Sequence, residues 1–363
     1  MKHWLLSVLL VVCGTVSAQI TLVKDGKSRA RIIVQDKMPN SKTSAQFLQR
    51  FLTEISGVAL PIENDKTPRK GDILIGGQSS AEVTEDGFSI STQDGILKIS
   101  GKENGVVYGV VTLLEQYLGI NYWGENEYSL TPSKTVNLPF INKVENPGFR
   151  YRQTQCYAIH TDSIYKWWNR LEEPNEVFAA GYWVHTFDKL LPSSIYGKEH
   201  PEYYSYFKGK RHPGKASQWC LSNPEVFEIV AQRVDSIFKA NPYKHIMSVS
   251  QNDGNYTNCT CDACKAIDDY EGALSGSIIT FLNKLAARFP DKEFSTLAYL
   301  YTMNPPKHVK PLPNVNIMLC DIDCDREVTL TENASGKEFV KAMEGWSKIT
   351  NNIFVWDYGI NFD

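Results

Sequence analysis

The sequence lacks the features that would set it apart from ordinary globular proteins. Its 38 basic and 41 acidic side chains leave a formal net charge of only -3, and no basic stripe is present. We therefore expect no nucleic acid partner, because phosphate backbones are bound by clustered Lys and Arg. Beyond the first residues no apolar run reaches the roughly 18 residues that a membrane helix needs. A hydrophobic content of 42% with 22% charged residues excludes disorder, collagen and coiled coil.

The first 18 residues have the pattern of a secretory signal peptide. Lys2 and His3 precede an apolar run at 4–12, and small residues at the end of the segment form a cleavage site after Ala18. We therefore predict export to the periplasm or the extracellular space. Removing Cys13 with this peptide leaves seven of the eight cysteines, and an odd number leaves at least one thiol free or paired with another chain.

The segment 19–143 predicts a small α+β domain. Strand patterns at 20–23 and 30–34 flank an Asp-Gly turn and are expected to pair with each other. Apolar residues recur at helical spacing over 41–55 and 105–118, which predicts two helices. Further strands are expected at 72–76, 88–91 and 96–100.

From residue 147 onward the pattern changes to alternating strands and helices, which predicts a parallel sheet. The most economical arrangement is a (β/α)8 TIM-like barrel over 147–363. Helices are expected at 224–240, 275–288 and 337–348. Only seven strands are expected, so the barrel is predicted to be truncated before its last strand. They lie at 151–156, 181–186, 217–221, 245–250, 294–301, 315–321 and 353–357.

Functional side chains follow these strands at their carboxyl ends, where barrels of this kind place their active sites. Asp253 follows the fourth expected strand, and Asp357 follows the seventh. Two carboxyl groups across a barrel mouth are what glycosidic cleavage requires, one as general acid and one as base or nucleophile. We predict these two residues to be catalytic. Substrate contacts are predicted from His185, Trp219, Gln251, Asn252, Tyr299, Asp321 and Trp356.

Each of these predictions has a structural alternative. Asp253 is alternatively an ordinary turn residue before a glycine, and His185 a satisfied histidine inside the barrel. The aromatic residues Trp219, Tyr299 and Trp356 alternatively fill the upper layer of the barrel. Asp321 lies among other acidic and cysteine residues, so a cation site or a mutual hydrogen-bond cluster is its alternative.

Three cysteines within six residues, Cys259, Cys261 and Cys264, form the most specific local pattern. With Cys220 from the preceding strand end they supply the four ligands of a tetrahedral structural zinc site. Disulfides are the alternative in an exported protein, and a Cys-x-x-Cys redox pair is a third interpretation. Catalysis by carboxyl groups requires no cofactor, and the sequence leaves structural zinc and disulfides both open.

Several stretches resemble known families. Residues 103–119 are similar to the closing helix of the small domain that precedes the barrel in alpha-glucuronidases of glycoside hydrolase family 67 and in beta-hexosaminidases. The later part of the chain resembles the bacterial domain-of-unknown-function family 4838. This resemblance lies in the stretches 200–204, 220–225, 248–253, 259–264, 297–299, 319–324 and 355–358. It implies an exported glycoside hydrolase-like protein acting on glycans that contain uronic acid or hexosamine.

The site departs from the enzymes it resembles. Hexosaminidases carry an adjacent Asp-Glu pair after the fourth strand, whereas here Asn252 and Asp253 are followed by glycine. A uronate substrate would require cationic partners, for which Arg152, His212 and Arg326 are candidates. The alternative function is a non-catalytic glycan-binding protein that retains a sugar cleft.

Overall fold

The computed structural model describes four stretches of the chain, residues 20–35, 40–124, 127–254 and 257–359. The predicted signal peptide, with its cleavage site at Ala18, lies outside them. The described residues form a mixed α/β protein, and the chain divides into two units, Met1–Glu172 and Glu173–Asp363. No helix that the structure describes is both long and apolar enough to cross a membrane.

The first unit is built on a mixed β-sheet. Its strands are β1 (Ile20–Lys24), β2 (Lys27–Ser28), β3 (Ile32–Val34), β4 (Ile62–Asn64), β5 (Ile73–Ile75), β6 (Phe88–Gln93), β7 (Ile96–Gly101), β8 (Asn121–Gly124), β9 (Glu127–Ser129), β10 (Val136–Leu138) and β11 (Asn142–Glu145). Its helices are α1 (Ser41–Ser56), α2 (Gly105–Thr112), α3 (Ala158–Thr161) and α4 (Ser163–Trp168), and a π-helical turn, Leu113–Tyr117, continues α2. One sheet has the strand order β11-β6-β7-β5-β3-β4, and a second has the order β10-β1-β2.

Local sequence signals explain much of this unit. Helix α1 buries Leu48 and Leu52 on its apolar face and ends at Gly57, whose φ of 74° is the left-handed conformation that ends many helices. Strands β6 and β7 form the hairpin that their alternating pattern and an Asp-Gly turn predict. The predicted pairing of 20–23 with 30–34 is wrong. Strand β1 pairs with β2 and β10, whereas β3 pairs in parallel with β4 and β5, so the two segments lie in different sheets.

The second unit is built on a parallel sheet with the strand order β14-β15-β16-β17. The strands of the unit are β12 (Tyr206–Phe207), β13 (Lys210–Arg211), β14 (Ile246–Ser248), β15 (Glu293–Ala298), β16 (Val315–Cys320) and β17 (Ile353–Trp356). Its helices are α5 (Pro174–Val177), α6 (Phe187–Leu190), α7 (Ser193–Tyr196), α8 (Pro224–Ala240), α9 (Asp262–Glu271), α10 (Gly276–Arg288) and α11 (Ala334–Ser347). Every residue of β16 is buried, as in parallel strands that are covered on both faces.

The described strands do not confirm the predicted barrel. The fourth to seventh predicted strands are β14 to β17, but the predicted strands at 151–156, 181–186 and 217–221 are wrong, and the described residues form an open parallel sheet. The segment 181–186 runs beside β14, yet positive φ angles at Gly181 (79°) and His185 (50°) interrupt its extended backbone. Residues 217–221 make one antiparallel bridge, with Tyr204, instead of a parallel ladder.

Asp268, in α9, is a buried carboxyl group that makes stability depend on pH. It is 5% exposed, and its Oδ1 accepts a hydrogen bond from the Ser277 N–H at 2.8 Å. Burial raises the pKa of Asp268 to about 6, although the Ser277 hydrogen bond acts in the opposite direction. The folded protein therefore holds this proton more tightly than the unfolded chain. The stability that this group contributes is complete below its unfolded pKa and is lost as the pH rises through about 6.

We expect Asp268→Asn to remove this dependence, because Asn keeps an acceptor oxygen and does not ionise. Relative to the original protein, the free energy of unfolding of the variant should rise by about 2–3 kcal/mol between about pH 4 and pH 7. Urea unfolding at the two pH values measures the difference. Asp269→Asn, at an exposed neighbouring position, is the control and should show much less of this trend, since the charge of Asp269 is the smallest of the influences on the pKa of Asp268. An equal effect of Asp268→Asn at both pH values would contradict the prediction.

Candidate functional site

The carboxyl ends of the parallel strands bring polar side chains to one edge of the sheet. Asp253 lies five residues after β14, Tyr299 directly follows β15, and Asp321 directly follows β16. Asp357 and Tyr358 directly follow β17. Because the four strands run in the same direction and neighbour one another, these residues share the edge at which α/β proteins bind their ligands.

Asp253 is in contact with the end of the neighbouring strand. Its side chain is exposed, and Oδ1 accepts a hydrogen bond from the Tyr299 hydroxyl at 3.1 Å. Burial raises the pKa of Tyr299, and the charge of Asp253 raises it further, so the hydroxyl stays a donor. The ring of His185 lies edge-on to the ring of Tyr299, with 5.9 Å between the ring centroids. The structure thus brings three of the predicted site residues together.

Two residues beside this contact have left-handed backbone conformations. The φ angle is 50° at His185 and 52° at Leu300, values that are uncommon for residues other than glycine. At His185 the conformation is held by a hydrogen bond from its N–H to Ser250 Oγ at 2.9 Å and by its Nδ1, 2.9 Å from Gln251 O. Conformations of this kind cost roughly 1–3 kcal/mol each and cluster at functional sites.

Gln251 supports the Asp253 loop from within the protein. Its side chain is 0% exposed, and its Nε2 donates to Leu297 O at 3.2 Å and to Thr302 Oγ1 at 2.8 Å. These contacts tie the loop after β14 to the end of β15. Gln251 is therefore a positioning residue, which corrects its predicted contact with substrate.

Asn252 and Trp219 are also internal. Asn252 donates from its N–H to Gln218 Oε1 at 3.0 Å and from Nδ2 to Ser217 O at 2.6 Å. Trp219 is 1% exposed and stacks face to face on Phe187, with 3.7 Å between the ring centroids. The contacts assign Asn252 to positioning and Trp219 to the core, in place of the predicted substrate contacts.

Asp321 and Asp357 form a carboxyl pair. Asp321 is 5% exposed, whereas Asp357 is exposed. Burial raises the pKa of Asp321, and its hydrogen bond with Asp357 raises it further. The Tyr358 N–H donates to Asp321 Oδ1 at 2.9 Å, and a guanidinium nitrogen of Arg326 lies 3.3 Å from the same oxygen. In its protonated form Asp321 donates a hydrogen bond to the exposed carboxyl group of Asp357.

Stacked aromatic rings adjoin this carboxyl pair. The ring of Trp356 lies 5.0 Å from that of Trp183 and 5.6 Å from that of Tyr358, measured between ring centroids. All three rings are half-buried. An aromatic face of this kind packs against the apolar face of a sugar ring. Trp183 was not predicted, although its position two residues before His185 was a signal for it.

Four cysteine thiols form a separate cluster in the second unit. The Sγ atoms of Cys220, Cys259, Cys261 and Cys264 all lie within 4.8 Å of one another. Cys220 Sγ is 3.6 Å from Cys261 Sγ and 3.9 Å from Cys264 Sγ. The sulfurs of a disulfide are about 2.05 Å apart. Each cysteine in the described part of the chain is free, so the structure does not contain the disulfides that the sequence left open.

The fold and the site define a mixed α/β protein with acidic and aromatic groups at the edge of a parallel sheet. Residues 122–363 match the family described as domain of unknown function DUF4838. The chain belongs to this family, which confirms the resemblance seen in the sequence. No curated protein matches the chain.

Some solved structures of glycosidases are similar to this chain. For the beta-N-acetylhexosaminidase from Bacteroides fragilis the identity is 10% over 93% of this chain and 72% of that chain, with a TM-score of 0.46. For the beta-N-acetylhexosaminidase from Streptomyces coelicolor the identity is 11% over 93% of this chain and 72% of that chain, and the TM-score is 0.46. For the chitobiase from Flavobacterium johnsoniae the identity is 11% over 93% of this chain and 57% of that chain, and the TM-score is 0.48. All three TM-scores lie below 0.5, so the activity has to be argued from the residues of this chain.

Proposed function

We propose that the second unit binds a glycan on the stacked rings of Trp183, Trp356 and Tyr358 and cleaves a glycosidic bond beside them. The observation that carries the proposal is that Asp253 follows β14 and Asp357 follows β17 at the same edge of one parallel sheet, with Asp357 between Trp356 and Tyr358 in the chain. Cleavage of a glycosidic bond needs two carboxyl groups, and no further chemistry is required of the protein. The left-handed residues beside Asp253 support the same assignment.

The two exposed carboxyl groups take different roles in this proposal. Asp253 is the general acid that protonates the leaving oxygen, and the hydroxyl of Tyr299 orients it. Asp357 is the base or the nucleophile. Asp321 acts through Asp357, because burial raises the pKa of Asp321 and its hydrogen bond with Asp357 holds that carboxyl group in place. No cofactor takes part in these steps.

The proposed substrates are glycans that contain uronic acid or hexosamine, as the sequence resemblance implies. Of the cationic residues considered for a uronate, Arg326 lies at the site, 3.3 Å from Asp321. Arg152 instead pairs with Asp86 in the first unit, at 2.7 Å. His212 places its Nε2 2.7 Å from Phe207 O. Arg326 is therefore the proposed carboxylate partner. Export of the protein by residues 1–18 stays a prediction.

The proposal is tested by incubating the full chain with glucuronic acid-substituted xylo-oligosaccharides, chito-oligosaccharides and nitrophenyl glycosides, and by measuring product release and binding. Saturable release of a shorter product is expected with at least one of them. The variant Asp357→Asn, purified in the same way, controls for contaminating glycosidases, because it should lose activity on glycans and on nitrophenyl glycosides alike. Saturable binding without any product would favour the glycan-binding alternative, and neither binding nor release would reject a glycan function.

A further inference from the structure

The four clustered thiols have the spacing of a single metal site. A tetrahedral ion with four sulfur ligands at about 2.3 Å places its sulfurs about 3.8 Å apart. Cys220 Sγ lies 3.6 Å from Cys261 Sγ and 3.9 Å from Cys264 Sγ, and Cys259 lies within the same 4.8 Å limit. We propose that Cys220, Cys259, Cys261 and Cys264 bind one structural Zn²⁺ ion, releasing their thiol protons as they do so.

Backbone hydrogen bonds hold the segments that carry the four cysteines. Cys220 donates its N–H to Tyr203 O at 2.8 Å, and Thr260, between two ligands, donates its N–H to Tyr206 O at 2.7 Å. Both segments are thereby fixed to residues 203–206, which lie just before the β12–β13 hairpin and at its first residue. Cys261 is the residue before α9, so Cys261 and Cys264 lie one helical turn apart. Prepositioned ligands of this kind are typical of a structural site.

The surroundings of the cluster suit thiolates. The Tyr206 N–H donates to Cys259 Sγ at 3.3 Å, and a guanidinium nitrogen of Arg211 lies 3.6 Å from the same sulfur. The hydroxyl of Ser222 lies 3.1 Å from Cys264 Sγ. Four thiolates on Zn²⁺ carry two net negative charges. A guanidinium and hydrogen-bond donors beside the sulfurs offset part of that charge, as outer ligands do in other metal sites.

The ligand set and its burial favour structural zinc over iron. Three of the sulfurs are buried, with residue exposures of 4% for Cys220, 5% for Cys259 and 1% for Cys264. A four-thiolate site that is closed to water is structural, whereas catalytic zinc keeps an open position. A cluster of two irons needs its cysteine pairs farther apart than this compact group. Zn²⁺ also binds such sites more tightly than Fe²⁺.

The metal content of the full chain tests the proposal directly. After gel filtration in metal-free buffer, elemental analysis is expected to give close to one zinc per chain. X-ray absorption at the zinc edge should show about four sulfur neighbours near 2.3 Å. Removing the ion with a strong chelator should lower Tm by roughly 10 °C or more. The inference is independent of the proposed glycan function, because none of these measurements involves a glycan.

Cysteine variants locate the ion. Cys220→Ser and Cys264→Ser should lose most of the zinc, whereas Cys156→Ser and Cys324→Ser, which remove an exposed and a buried free thiol outside the cluster, should retain it. If the first two variants fail to fold, the sulfur count from X-ray absorption on the original protein still decides. The inference is overturned by a folded chain without zinc, by iron in its place, or by disulfides among the four cysteines in mass spectrometry.

Discussion

Replacing Asp253 by Asn is expected to lower kcat/KM on an unactivated glycan by about 10²–10⁴-fold, the usual contribution of a general acid. Asn has nearly the same shape and still accepts the hydrogen bond that Tyr299 donates at 3.1 Å, so the loop after β14 should keep its conformation. The variant loses only the proton that the leaving oxygen needs. KM should therefore change much less than kcat, and Tm should stay the same within a few degrees.

The leaving group distinguishes acid catalysis from a general loss of structure. A nitrophenolate leaves with little protonation, so Asp253→Asn should lose much less activity on a nitrophenyl glycoside than on the glycan. Asp357→Asn, which removes the proposed base or nucleophile, should lose activity on both. Asp235→Asn, in a surface ion pair with Lys239 on α8, is the control and should keep full activity. Equal losses on both substrates for Asp253→Asn would contradict its role as general acid.

The strands that carry the site were predictable because their signal is local. Strands β14 to β17 are short runs, mostly apolar, that are followed by polar residues. In β14, β15 and β16 this pattern reflects burial, whereas β17, at the edge of the sheet, is partly exposed. Their carboxyl ends then define where Asp253, Tyr299, Asp321 and Asp357 lie. The segment 181–186 has a similar composition, but Gly181 and His185 adopt positive φ angles, and composition alone does not reveal a backbone that leaves the extended conformation.

The roles of individual side chains were less predictable, because burial depends on tertiary packing. Gln251 and Asn252 have the polarity of ligand contacts, yet their side-chain amides donate hydrogen bonds inside the protein. The acceptors are Leu297 O and Thr302 Oγ1 for Gln251 and Ser217 O for Asn252. The pairing of Asp321 with Asp357 joins residues from two strands and has no local signal. The sequence signal for the thiol cluster was partly local, since three of its cysteines lie within six residues and only Cys220 comes from elsewhere in the chain.

The first unit contains a buried ion pair whose loss should be costly. Arg152 donates from one guanidinium nitrogen to Asp86 Oδ2 at 2.7 Å, and the same nitrogen lies 3.7 Å from Glu172 Oε2. The Nε of Arg152 donates to Arg170 O at 2.8 Å. Asp86 is 5% exposed and Glu172 is 7% exposed. Asp86 in turn accepts the N–H of Asn104, just before α2, at 3.0 Å. One guanidinium therefore balances two carboxylates that have little access to water.

We expect Arg152→Met to reduce the free energy of unfolding by about 3–5 kcal/mol, because it removes the cation that pairs with the buried carboxylate of Asp86. Urea unfolding of the full chain measures the loss. Arg69→Met, whose side chain is 71% exposed and 4.0 Å from Asp72, is the matched control and should cost less than about 1 kcal/mol.

A double variant separates buried charge from lost packing, since Met retains much of the Arg stem. Adding Asp86→Asn to Arg152→Met removes the buried carboxylate together with its cation, so the double variant should recover part of the free energy of unfolding that the single variant loses. A loss that is not recovered in the double variant would show that Arg152 acts through packing, and that the ion pair contributes little to the first unit.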